Sequence, residues 1–185
     1  MSRIENLSVA MKSANLETRI LALEQAAAED AETYAKAAVL QIADFPEDGY
    51  FVLERIGRFG TAVVPHLRAL ETVTQDATIR LLCTLALADF NVPLNIEMLF
   101  RAIHERSEYE NLACRALASL DVRSSVPWLV EEMAKTEVTA EWRLVSLVDA
   151  IRRLGGVIPS EEIRRLSQPN VSSSVRNFFE REGPG

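Results

Sequence analysis

Aromatic residues make up only 6% of this 185-residue chain, and histidine and cysteine occur twice each. His66 and His104 stand far apart, and no cysteine lies near either at metal-ligand spacing. The chain therefore carries no zinc-finger-type ligand set and no expected metal site. Cys83 and Cys114 each sit inside an apolar helical pattern, which reads as two buried thiols rather than a disulfide or a reactive pair. Long hydrophobic runs are missing as well. No 18 apolar residues follow one another, and MSRIENLSVAMKSANLE contains no core of signal-peptide length, so the expectation is a cytoplasmic protein that does not enter a membrane. Basic charge is also short: the formal net charge is −7. With no dense Lys/Arg stripe and with long-range repulsion from a polyanion, nucleic acid is excluded as a partner.

What is present favours helices. Apolar residues account for 48% and charged residues for 25%, a globular balance. Seven glycines and seven prolines fall mostly between periodic apolar segments rich in Ala, Leu and Glu. Residues 4–44 place Ile4, Leu7, Leu16, Ile20, Leu23, Tyr34, Ala38 and Ile42 at helical spacing, with interruptions at Ser13–Asn15 and Glu29–Asp30. This predicts a short first helix and then a helical hairpin, with Asp30 capping the second arm ahead of Thr33, although Ala26-Ala27-Ala28 also permits one continuous helix.

From Glu47 onward the pattern repeats. Helices are expected at Glu47–Gly57 and Ala62–Glu71, then Asp76–Asp89 with Val92–Glu105, Glu108–Leu120 with Val126–Lys135, and Thr139–Leu154 with Ser160–Leu166. Ser172 to Arg181 begins a further helix before Gly183-Pro184-Gly185. Val64-Pro65, Val92-Pro93, Val126-Pro127 and Ile158-Pro159 recur with prolines 28, 34 and 32 residues apart. Proline is tolerated in a first helical turn because the amide it removes has no intrahelical acceptor. Apolar-small strings such as Leu85-Ala86-Leu87-Ala88 and Ala116-Leu117-Ala118 close the preceding helices and allow close helix approach. In the last unit Pro159 stands outside the helix, and Ser160 is the expected N-cap ahead of Glu161 and Glu162.

This combination, over about Glu47 to Leu166, resembles the HEAT-repeat superfamily, including its short bacterial forms. The resemblance implies an all-α, right-handed α-α superhelix, a HEAT-like solenoid. Residues 1–46 would form an irregular N-terminal helical cap, continuous as one domain with the repeats of 47–185. It also implies that the second helix of each pair lines the inner, concave side, while leaving function open.

Catalytic signatures are absent from the sequence. Glu131-Glu132 and Glu161-Glu162 are adjacent pairs that diverge by about 100° around a helix instead of converging on a substrate. Gly57 and Gly60 form no phosphate-binding fingerprint, and Ser172–Ser174 has no neighbouring base. No cofactor is implied.

The second-helix faces carry the candidate site instead. With Val126, Leu129, Val130 and Met133 inward, Trp128, Glu131, Glu132 and Lys135 fall outward. Asn95, Met98 and Arg101 correspond on the preceding second helix, His66 and Arg68 extend the strip, and Arg164 and Arg165 stand at its far end. Trp128 is the expected apolar anchor, and Glu97, Glu131 and Glu132 would steer a basic partner. Trp142 is expected to pack between helices near Val145. The reading is a non-catalytic protein-binding module, such as an adaptor, assembly factor or inhibitor, whose partner is another protein with a basic surface. A toxin-neutralising immunity protein is one specific form of that role, and a bilin lyase or isomerase is the enzymatic alternative.

Overall fold

A computed structural model describes residues 3–180. Every regular element among them is helical, and no strand occurs. The chain divides into two compact units, Met1–Asn95 and Ile96–Gly185. Residues 47–95 thus belong to the same unit as the segment read as a cap.

In the first unit, α1 (Arg3–Ala10) precedes a long α2 (Leu16–Asp44). Asn15 starts α2 by accepting the Thr18 amide at 2.9 Å. The helix breaks at Asp30 (φ −161°, ψ 84°), whose carboxylate accepts the Thr33 hydroxyl at 2.6 Å and the Thr33 amide at 3.1 Å. Those bonds hold the Asp30 carboxyl below its ordinary pKa, the hydroxyl contributing most. Asp30 is the cap of a second arm, as the sequence pattern suggested. Ala22, Ala26, Ala35 and Ala38 are buried along α2, and their small side chains let α3 (Gly49–Ile56), α4 (Val64–Val73) and α5 (Ala77–Ala88) pack against it. Pro65 occupies the first turn of α4, and Asp76 caps α5 through the Thr78 and Ile79 amides. Buried Arg19 bonds the Ser13 carbonyl at 2.6 Å, pairs with Asp48 and lies 3.8 Å over the Phe45 ring, tying together the two ends of α2.

The second unit contains α6 (Glu97–His104), α7 (Glu110–Ser119), α8 (Val126–Ala134), α9 (Glu141–Arg153), α10 (Ser160–Leu166) and α11 (Ser173–Glu180). Helix α7 packs on α6 and α9, and α9 packs on α8 and α11. Leu99, Ile103, Leu117, Leu129, Met133, Leu144, Leu147 and Ile151 are fully buried and form the core. Three of the helices close in the same way. After α6, α7 and α9 the chain turns through a left-handed residue, Arg106 (φ 56°), Asp121 (φ 52°) or Gly155 (φ 73°). The next amide then reaches back to Ala102, Leu117 or Ile151 at 2.8–3.1 Å, the six-to-one closure of a Schellman motif.

Three expectations need correction. Helix α6 begins at Glu97, not Val92, so Pro93 lies in irregular chain and not in a first turn. Ser160 is the first residue of α10 and makes no capping bond; Pro159 occupies the cap position. Trp142 is 87% exposed and packs between no helices, because it lies off the buried face of α9. The Ile4 side chain and the Gly183-Pro184-Gly185 stop lie outside the described residues. No described helix is long and apolar enough to cross a membrane.

Candidate interaction site

The sequence-derived strip spans both units: His66 and Asn95 belong to the first, and Trp128, Glu131, Glu132, Lys135, Met98 and Arg101 to the second. In the first unit His66 is half-buried on α4. Exposed Asn95 borders an open cleft with Arg68, Glu71 and Arg80. The cleft arginines are engaged: Arg68 pairs with Glu71 at 3.0 Å, and Arg80 donates to the Thr74 carbonyl at 2.7 Å.

The second unit brings its residues together more closely. Half-buried Trp128 on α8 meets half-buried Phe100 on α6 edge to face, with ring centroids 4.8 Å apart and planes at 90°, a favoured aromatic geometry. One turn further along each helix, His104 Nδ1 lies 3.4 Å from Glu132 Oε1. Two contacts in the same order mean that α6 and α8 run side by side in one direction. On the same two helices Glu97 and Arg101 of α6, Glu105 at its end, and Glu131 and Lys135 of α8 and its end are exposed. Arg101 pairs with Glu105 at 2.8 Å and Lys135 with Glu131 at 2.8 Å. The Lys135 hydrogen bond lowers the Glu131 pKa, and the reciprocal bond raises that of Lys135. Met98 is half-buried beside them.

Glu132 is not an exposed guide. Its side chain is 5% exposed and its Oε2 bonds Arg143 Nη2 at 3.0 Å, while Oε1 lies 3.4 Å from Lys135 Nζ. Helical geometry explains the error: Glu131 and Glu132 are adjacent, so one must turn toward the next helix when the other faces outward. Arg143 gathers the whole corner of the unit. It also donates to Thr136 Oγ1 at 3.0 Å and the Ile103 carbonyl at 2.8 Å, and pairs with Glu110. One guanidinium thus joins the end of α6, the start of α7 and the end of α8 from the first turn of α9. Arg165 performs a related task, donating to the Met133 and Thr136 carbonyls at 3.0 and 2.9 Å and so closing the end of α8 from α10. Arg164 is exposed.

Arg143 and Phe100 were missed in the sequence. A signal for Arg143 existed: it stands four and eight residues before buried Leu147 and Ile151, in register with the apolar face of α9. Trp142, one residue earlier, falls off that face. Burial above all, with nearby Glu71 and Glu110 respectively, pushes the Cys83 and Cys114 thiols up to about 12. Among the described residues no three His, Cys, Asp or Glu side chains are grouped so as to hold a metal.

Comparison with protein-family models, with curated proteins and with solved structures gave no match to this chain.

Proposed function

We propose that the chain is a non-catalytic protein-interaction module of HEAT-like helix pairs, and that the adjacent faces of α6 and α8 contact its partner. The observation that carries this reading is the half-buried Phe100–Trp128 pair, with exposed charged side chains on the same two helices. An apolar aromatic centre with a polar rim is the arrangement in which binding energy concentrates, because the centre loses water on contact while the rim stays solvated. The same-direction run of α6 and α8, with α7 and α9 packed behind them, supports the helix-pair architecture. The rim holds exposed Glu97, Glu105 and Glu131 against Arg101 and Lys135. That excess of acid, on a chain of net charge −7, favours a partner with a basic surface.

The test is affinity capture of the partner followed by a kinetic titration with purified proteins. Trp128→Ala is expected to weaken binding by about 2 kcal/mol or more, roughly 30-fold. Glu131→Gln should chiefly slow association at low salt. Circular dichroism verifies folding. Unchanged affinity in a folded Trp128→Ala protein, with loss in Trp142→Ala instead, would move the anchor to the other tryptophan and refute the α6–α8 surface.

A further inference from the structure

A groove of about 290 Å³ lies within the first unit, between the end of α1 and the second arm of α2. It owes nothing to the interaction surface proposed above. On α2 its wall is the stripe Thr33, Lys36, Ala37, Leu40, Gln41 and Asp44, whose spacing of three and four residues places all six on one helical face. Across from them stand Ser8, Met11 and Lys12.

Three features of this lining bear on what it can hold. Lys12 and Lys36 both border the cavity, and no carboxylate among the described residues pairs with either ammonium. Gln41 is 2% exposed, and its carboxamide borders the same cavity. Met11 and Ala37, with the inner side of Leu40, supply an apolar floor. Cations, an amide N–H donor and an apolar floor in one small cavity match an anion that carries a hydrocarbon chain.

We infer that this groove binds a small monocarboxylic acid with an aliphatic tail, its carboxylate held by Lys12, Lys36 and the Gln41 amide and its tail laid over Met11 and Leu40. The volume is at the lower edge of the range for small-molecule pockets, so the ligand is a short acid and not a long-chain lipid. Asp44 argues for one anionic group only. It lies eight residues beyond Lys36, about 12 Å along the helix, where it would repel a second anion at the far end of the ligand. A phosphate would gain little from the apolar floor, and an alkylamine would face two cations against one exposed carboxylate.

The probe is octanoate, titrated calorimetrically into the whole chain, with octylamine and acetate as comparisons. The expected result is saturable one-to-one binding of octanoate, little or no binding of the other two, and chemical-shift changes at the Met11 and Leu40 methyls. Lys12→Gln/Lys36→Gln should weaken octanoate binding about tenfold, the sum of two partly exposed charge contacts. Gln41→Leu, which keeps the apolar volume, should weaken it further. Both lysines are exposed and unpaired, so the double variant is expected to fold, and its circular dichroism spectrum serves as the control. The inference is overturned if octanoate does not saturate, if octylamine binds equally well, if the shifts fall elsewhere, or if the lysine variant binds as tightly as the parent.

Discussion

Replacing Arg143 by methionine tests the tie that positions α6 beside α8. The substitution keeps much of the side-chain volume but takes the guanidinium from four groups: the Glu132 carboxylate, 5% exposed, the Glu110 carboxylate, the Ile103 carbonyl and the Thr136 hydroxyl, which still donates to the Glu132 carbonyl. Breaking one side of a buried ion pair costs about 3–5 kcal/mol, chiefly because the remaining charge stays desolvated. Glu132→Gln is milder, at about 1–2 kcal/mol, since the amide oxygen can still accept from Arg143 and Glu110 still balances its charge. Arg143→Met/Glu132→Met should recover much of the loss by removing both charges, and that non-additivity is the signature of the pair. Both tryptophans, Trp128 and Trp142, lie in the second unit. Tryptophan emission during urea unfolding therefore reports on the unit that contains Arg143. With a slope of about 2 kcal/mol per M, Arg143→Met should lower the midpoint by about 2 M. Arg101→Met is the control, because its pair with Glu105 is exposed at both ends and should contribute less than about 1 kcal/mol. Equal effects of Arg143→Met and Arg101→Met would refute the view that the buried guanidinium organises this corner.

Other positions give independent expectations. A methyl at Gly156 would stand 2.5 Å from Val126 Cγ1 and 2.9 Å from Ile151 Cγ2, so Gly156→Ala should cost about 1–3 kcal/mol by overpacking, and Val126→Ala should relieve part of that in a urea titration. Arg106 is exposed and left-handed (φ 56°), a conformation that disfavours any side chain. Arg106→Gly should therefore stabilise the second unit by roughly 0.5–1 kcal/mol, seen as a higher urea midpoint. The Cys83 and Cys114 thiols, buried and raised to about 12, should resist a disulfide reagent at pH 8 in the folded protein and both react after denaturation.

Most helix spans and the Asp30 cap were legible in the residues because their causes are local. The apolar period drew most of the helices within a few residues of their ends. Asp30 and Thr33 marked the break in α2 because a short acidic side chain can satisfy amides only within its own turn. The placement of Pro65 and Pro127 in first turns followed from the missing proline amide. Pro93 obeys the same backbone rule in irregular chain, so the dipeptide alone could not distinguish a helix start from a loop.

Which face of each helix is buried depends on neighbours that lie far away in the chain. Glu131 and Glu132 are chemically alike and adjacent, yet one pairs with Lys135 at the surface and the other is enclosed by Arg143, eleven residues further on. Trp128 and Trp142 are both large and apolar, yet one rests on Phe100 and the other projects into solvent. Periodicity defines a helical stripe to within a residue or so. One residue is a turn of about 100°, enough to move a side chain from core to surface. Only the tertiary packing of α7 on α6 and of α9 on α7 and α8 decided which charges were enclosed in the fold and which stayed at the surface.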